Sequence, residues 1–208
     1  MTMRERIASG KLFTDMCEGL PQDRTRGKLN MIALNKTGPR QIVKRFALCK
    51  KTFGAFGMSW IEPPIYFCYG KNIFIGKSCY INFNCNFIDD GKITIGDMVM
   101  FGAGVTIATV GHPLDPELRK KGYMYADPVS IGSNSWIGAG VTICPGVTIG
   151  ENCIIGAGSV VVHDIPANTI AVGNPCRVLR EVNEHDKQFY YKDRPITEED
   201  LAEEAALR

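Results

Sequence analysis

The chain has 208 residues, 45% hydrophobic and 22% charged, enough for one domain with a sizeable core and too few for two independent ones, and disorder as the main state is excluded. With 24 basic residues against 22 acidic ones the net charge is +2, which gives no broad attraction to nucleic acid or to an anionic membrane surface. No signal-like leader and no run of about 18 apolar residues is present, so the sequence predicts a soluble, cytoplasmic protein. Its eight cysteines (Cys17, Cys49, Cys68, Cys79, Cys85, Cys144, Cys153 and Cys176) are then expected as reduced thiols.

In chain order, residues 1–60 show helical spacing: Ile7, Leu12, Phe13, Met16, Cys17 and Leu20, then Ile42, Val43, Phe46, Cys49 and Phe53. Pro21 and Gly38-Pro39 interrupt it. Two or three helices are expected, forming a cap over one end of the main body of the chain. From 61 to 183 the governing pattern is a period of six. It runs Ile75-Gly76, Ile81-Asn82 and Phe87-Ile88, slips by two residues at Asp89-Asp90-Gly91, and resumes as Ile95-Gly96, Phe101-Gly102 and Ile107-Ala108. It returns as Ile131-Gly132, Ile137-Gly138, Ile143-Cys144, Ile149-Gly150, Ile155-Gly156 and Val161-Val162. Every key position is apolar, which random placement at this composition gives with a probability of about 0.0001. Between the two arrays, residues 108–130 read as a loop excursion containing Gly111-His112-Pro113 and a polar stretch through Arg119-Lys120-Lys121. Residues 184–208 read as a C-terminal tail with a peripheral helix or frayed end, opened by Thr197-Glu198-Glu199-Asp200 in a capping-box pattern.

Six is a multiple of two but not of 3.6, so each repeat is a short strand and a turn, and the stack is a β-solenoid. The key aliphatic residue points inward, and the glycine after it is expected to supply a tight corner. A small residue three places after that glycine position fills the remaining interior: Cys79, Cys85, Val99, Val105, Ser135, Val141, Val147, Cys153 and Ser159. A coil has no stability alone, so both ends need covering.

The repeat, the segment Gly10-Lys11-Leu12-Phe13-Thr14-Asp15-Met16-Cys17-Glu18-Gly19-Leu20, Ile61-Glu62-Pro63-Pro64, Gly111-His112-Pro113 and Gly173-Asn174-Pro175-Cys176-Arg177-Val178 together resemble the galactoside and maltose O-acetyltransferases. The resemblance covers nearly the whole chain. It implies a mainly β fold, a left-handed parallel β-helix with three hexads per coil, an N-terminal helical segment, an extruded loop and a short C-terminal segment. It also implies a homotrimer with shared active sites, acetyl-CoA as donor, a sugar acceptor and no metal. The hand comes from the resemblance alone, since ordinary parallel crossovers are right-handed.

Acyl transfer to a hydroxyl needs a base, and His112, His163 and His185 are the histidines available. His112 sits in the excursion, where loops on rigid scaffolds carry function, and it matches the family's catalytic histidine. The resemblance adds Asn82 near the reacting centre and Asp15, Cys68, Asn82, Asp90 and Met124 around the acceptor. Read without it, Asp15 is a surface carboxylate, Asp90 part of a turn, Asn82 a left-handed corner residue and Met124 ordinary packing. Cys68 stands where the galactoside branch has serine. For the donor the resemblance gives Trp136, Ala139, Ala157, Val162, His163, Arg177 and Arg180, with the Ala139 N–H facing the thioester oxyanion. Val162-His163 replaces a Thr-Lys pair common in the family, and the two arginines suit a phosphate clamp. Three other readings are weaker. A solenoid zinc enzyme of the γ-carbonic anhydrase type needs three converging histidines, and these spacings do not supply them. A non-catalytic scaffold does not need the His-Pro loop. An acetyltransferase for xenobiotics or other small hydroxyl compounds usually differs over its first 60 residues.

Overall fold

The computed structural model describes residues 1–206, so the last two residues of the tail expected over 184–208 lie outside the described residues. Three helices come first: α1 (Met3–Ala8), α2 (Leu20–Asn35) and α3 (Ile42–Thr52). The first coil is β1 (Ala55–Phe56), β2 (Trp60–Ile61) and β3 (Ile65–Phe67), and the second is β4 (Ile73–Ile75), β5 (Tyr80–Ile81) and β6 (Cys85–Ile88). The third is β7 (Ile93–Ile95), β8 (Met100–Phe101) and β9 (Thr106–Ala108). An excursion holding β10 (Val110–Gly111), α4 (Pro116–Lys120) and β11 (Tyr125–Ala126) interrupts the winding, with β10 and β11 pairing antiparallel. Winding resumes with β12 (Val129–Ile131), β13 (Trp136–Ile137) and β14 (Thr142–Ile143), then β15 (Thr148–Ile149), β16 (Ile154–Ile155) and β17 (Val160–Val161). The top is closed by β18 (Thr169–Val172) and an antiparallel β19 (Arg177–Glu181). Beyond them lie a 3-10 turn at Glu184–Lys187, a hairpin of β20 (Phe189–Tyr191) and β21 (Arg194–Pro195), and α5 (Glu198–Ala206).

The coils stack into three parallel walls. Wall A is β1-β4-β7-β12-β15, wall B is β2-β5-β8-β13-β16-β18, and wall C is β3-β6-β9-β14-β17. The chain passes A to B to C, so three edges, AB, BC and CA, run up the prism. Inside, the key aliphatic side chains Ile81, Ile107, Ile137 and Ile143 are fully buried, and the Phe87 and Phe101 rings pack at a tilt of 59° with centroids 5.8 Å apart. Cys79, Cys85, Cys153, Ser135 and Ser159 fill the gaps as expected. The two serines satisfy themselves on neighbouring backbone, Ser135 donating to the Gly150 carbonyl and Ser159 to that of Gly156.

The glycines have a different reason from the one expected. Gly76, Gly102 and Gly138 do not take left-handed backbone; that conformation falls two residues later, at Ser78, Gly104 and Gly140, and at Asn84 rather than Asn82. A Cβ on Gly138 would lie 2.6 Å from the Ala157 nitrogen, and one on Gly76 2.5 Å from the Gly96 carbonyl oxygen. Close stacking of coils, rather than corner geometry, selects glycine there.

The helical cap also departs from expectation. The spacing from Ile7 to Leu20 does not form one helix: α1 ends at Ala8, and Gly10 and Gly19 take positive φ. Phe13 instead pairs with Met124 in an antiparallel bridge, both bonds 2.9 Å. Pro21 starts α2 rather than breaking it, since a helix's first turn needs no proline N–H. Helices α2 and α3 cover the first coil, with Leu34, Cys49 and Phe53 joining the core, whereas α1 packs on β11.

Candidate active site

A coil takes 20 residues early on, where Tyr80 lies beside Met100, and 18 later, where Trp136 lies beside Ile154. The two extra residues swell the CA edge of the first two coils at Cys68-Tyr69-Gly70 and Asp89-Asp90-Gly91. The Asp89 carboxylate is fully buried and accepts 2.8 Å hydrogen bonds from the backbone nitrogens of Cys68 and Tyr69, tying one coil to the other. Its second oxygen has no partner, and burial pushes the group up to about 7. Asp90, 8% exposed, is likewise raised by burial and by the negative charge of Asp15, against the opposing pull of Arg24 and His112.

Two other segments meet this edge. In α2, Gly27 lets the helix backbone settle on the Cys68-Tyr69 turn: a Cβ there would lie 2.5 Å from the Cys68 carbonyl oxygen. Arg24, one turn earlier, forms an ion pair with Asp15, a residue of the irregular stretch before α2. The Phe13–Met124 bridge fastens that stretch to the excursion. His112 is exposed, and its Nδ1 lies 3.2 Å from the Tyr123 carbonyl oxygen. Burial, with Asp90 and Asp89 adding to it, pushes the half-buried Cys68 thiol up to about 11. Asp15, Cys68, Asp90, His112 and Met124 are therefore brought together by one chain at the CA edge.

The remaining candidates are not. Asn82 follows β5 at the BC edge, and its Oδ1 accepts from the Phe83 N–H at 2.9 Å. On the same edge Ala139 and Ala157 are stacked, the Gly158 N–H reaching the Ala139 carbonyl at 2.8 Å; both alanines are exposed. Trp136 faces outward from wall B, 51% exposed, in a ladder of Trp60, Tyr80, Met100, Trp136 and Ile154. Val162 and His163 follow β17 and return to the CA edge, coils above the excursion. Arg177 and Arg180 lie on β19, and they do not form a free pair: Arg180 is held by both oxygens of Asp186 at 2.6 Å each, and Arg177 donates to the Cys176 carbonyl. Sequence reading missed Tyr69, Arg24 and Asp89. The two-residue slip at 89–91 marked Asp89, but nothing in the local pattern marked the others.

Among the described residues no group of three or more His, Cys, Asp or Glu could hold a metal, and no helix is long and apolar enough to cross a membrane. The family model of bacterial transferase hexapeptide repeats matches residues 128–163. The chain is 54% identical over 194 residues to the galactoside O-acetyltransferase of Escherichia coli, covering 93% of this chain and 96% of that one. A solved galactoside acetyltransferase in complex with coenzyme A superposes with a TM-score of 0.93 at 53% identity, over 95% of this chain and 99% of the other. A maltose O-acetyltransferase from Clostridium difficile does so with a TM-score of 0.86 at 45% identity, over 88% and 99%. Near-full coverage on both sides, on this solenoid, means that the chain belongs to the galactoside and maltose O-acetyltransferases, a family of hexapeptide-repeat acyltransferases.

Proposed function

We propose that the protein moves the acetyl group of acetyl-CoA to a sugar hydroxyl at the CA edge, with His112 as general base. Acyl transfer with coenzyme A as carrier comes from family membership; the sugar and the base are our own reading. The observation that carries it is the environment of the imidazole. A carbonyl only accepts, so the Tyr123 oxygen beside Nδ1 places the ring proton there and leaves the Nε2 lone pair free. Nε2 takes the proton of the acceptor hydroxyl as its oxygen attacks the thioester carbonyl. The negative oxygen of the tetrahedral intermediate is received by the Ala139 N–H, which donates to no protein carbonyl among the described residues. Collapse expels the thiolate, which recovers the proton from the imidazolium. Asp15, Asp90, Cys68 and Met124 hold the acceptor, Asn82 stands near the reacting centre, and Trp136, Ala157, Val162, His163, Arg177 and Arg180 hold the donor.

His112 and Ala139 lie on different edges of one prism, which supports the homotrimer with shared sites that the resemblance implies: the CA edge of one subunit faces the BC edge of the next. Refolding His112→Ala subunits together with Trp136→Ala subunits tests this. Mixed trimers then hold one intact site, and coenzyme A release on a panel of sugars returns. A dead mixture of well-formed trimers refutes the shared site. Lack of turnover on every sugar, with turnover on other small alcohols, favours the xenobiotic reading instead.

A further inference from the structure

Beneath α1 the structure forms a half-open cavity of about 470 Å³, within the 300–1,000 Å³ usual for small-ligand sites. Ile7, Ala8, Leu20, Ala126 and Pro128 give it largely apolar walls. Two polar side chains on its lining are more than nine-tenths buried, Tyr69 at 5% exposure and Asp90 at 8%. The Tyr69 hydroxyl has no hydrogen-bond partner, and no hydrogen bond from another residue reaches the Asp90 carboxylate among the described residues. Buried polar groups are nearly always paired, so an unpaired hydroxyl beside an under-used carboxylate marks a place where a ligand completes the set.

The outer lining carries the opposite charge. Arg4, Lys71 and Lys92 all border the cavity. Arg4 and Lys71 share one Asp23 oxygen at 2.6 and 2.5 Å, and Arg26 draws on the other at 3.3 Å, so one carboxylate serves three cations. Lys92 rests over the Phe74 ring at 4.7 Å and joins no ion pair among the described residues. The rim therefore holds surplus positive charge, which an anionic group would balance.

Asp90 belongs to both this cavity and the acceptor corner, being coupled to Asp15, Arg24 and His112. We propose that the cavity is a subsite for the non-reacting part of the acceptor: an apolar aglycone that lies under α1 and ends in an anionic group at Arg4, Lys71 and Lys92. This inference rests on the reading of the CA edge as the acceptor site.

Three glycosides of the best sugar from the panel test it: methyl, phenyl and 4-carboxyphenyl. The carboxyphenyl glycoside should exceed the phenyl one by about tenfold in kcat/KM, the worth of a charge-assisted contact. The double variant Lys71→Gln, Lys92→Gln should cut that ratio to twofold or less. Ala126→Phe, which fills the cavity, should bring both aryl glycosides down towards the methyl one; if that variant does not fold, the lysine ratio decides. A wild-type ratio near one, or a ratio unchanged in the lysine variant, overturns the proposal. Should no glycoside be acetylated, the acceptor reading fails separately, and calorimetric binding of the 4-carboxyphenyl glycoside settles the subsite. Binding that weakens in the lysine variant sustains it, and absence of binding overturns it.

Discussion

The BC and CA edges rise from the same walls and the same six-residue unit, and they solve different problems. The BC edge is regular. Gly102, Gly138 and Gly156 leave no room for a side chain between most of its coils, and exposed alanines sit outside them, so what it offers a ligand is backbone. The CA edge breaks the period at 89–91, buries two adjacent carboxylates and receives α2, the stretch around Asp15 and the excursion. A strict repeat leaves little space for chemistry, because each side chain is dictated by the one stacked on it; the polar cluster forms where the repeat is interrupted.

If that division is right, the largest loss comes from the CA edge. His112→Ala should lower kcat by roughly 100- to 10,000-fold, the usual worth of a general base, with acetyl-CoA affinity nearly unchanged. Stopped-flow and equilibrium binding measure the two, and a kcat within tenfold of wild type removes His112 as base.

Asp89→Asn probes the buried joint of that edge. Its carboxyl is held up at about 7 against an ordinary 3.8, so between those values the folded chain keeps a proton that the unfolded chain has released. Stability contributed in this way is complete below about pH 4 and is lost as pH rises to 7, by about 4 kcal/mol in total. The amide keeps an oxygen for the Cys68 and Tyr69 N–H groups and carries no charge. Urea titrations from pH 4 to 8 should show the wild type weakening across that window relative to the variant. Parallel curves would refute the assignment.

Much of the scaffold was legible, because a six-residue period with apolar keys has one economical solution and the filler residues Cys79 to Ser159 fell where expected. The N-terminal segment was not. Apolar spacing from Ile7 to Leu20 imitates a helix, and only the tertiary bridge from Phe13 to Met124 shows that it is extended. The polar corner of the CA edge needed contacts far apart in sequence, such as Arg24 with Asp15 or Gly27 against Cys68, which no local pattern encodes. Arg180 looked free until its partner Asp186, six residues on, was placed beside it.

On the regular edge the expected effects are structural. Gly138→Ala should cost about 1–3 kcal/mol, since backbone atoms of the next coil lie 2.6 and 2.8 Å from the new Cβ. Gly104→Asn, with open space around it and a φ of +71° close to that of Asn84 below it, should change stability by less than about 1 kcal/mol. Thermal or urea unfolding ranks the two, and equal costs would mean that coil spacing relaxes more readily than the geometry implies.

The smallest effect tests whether the polar corner of the CA edge holds the acceptor. Cys68 is half-buried, and its thiol, pushed up to about 11 by burial and by the carboxylates beside it, is neutral near pH 7 and a weak hydrogen-bonding group. Serine in the same place would give a sugar hydroxyl a stronger partner without adding charge beside Asp90. Cys68→Ser should therefore lower KM for a galactoside by about 3- to 10-fold, equivalent to about 0.7–1.4 kcal/mol, with kcat within about twofold. The same neutral thiol should react slowly with iodoacetamide at pH 7 and faster as pH rises towards 11. A KM that stays level or rises would mean that the sulfur lies outside reach of the bound sugar. The CA edge would then hold its acceptor through Asp15 and Asp90 without help from the first coil.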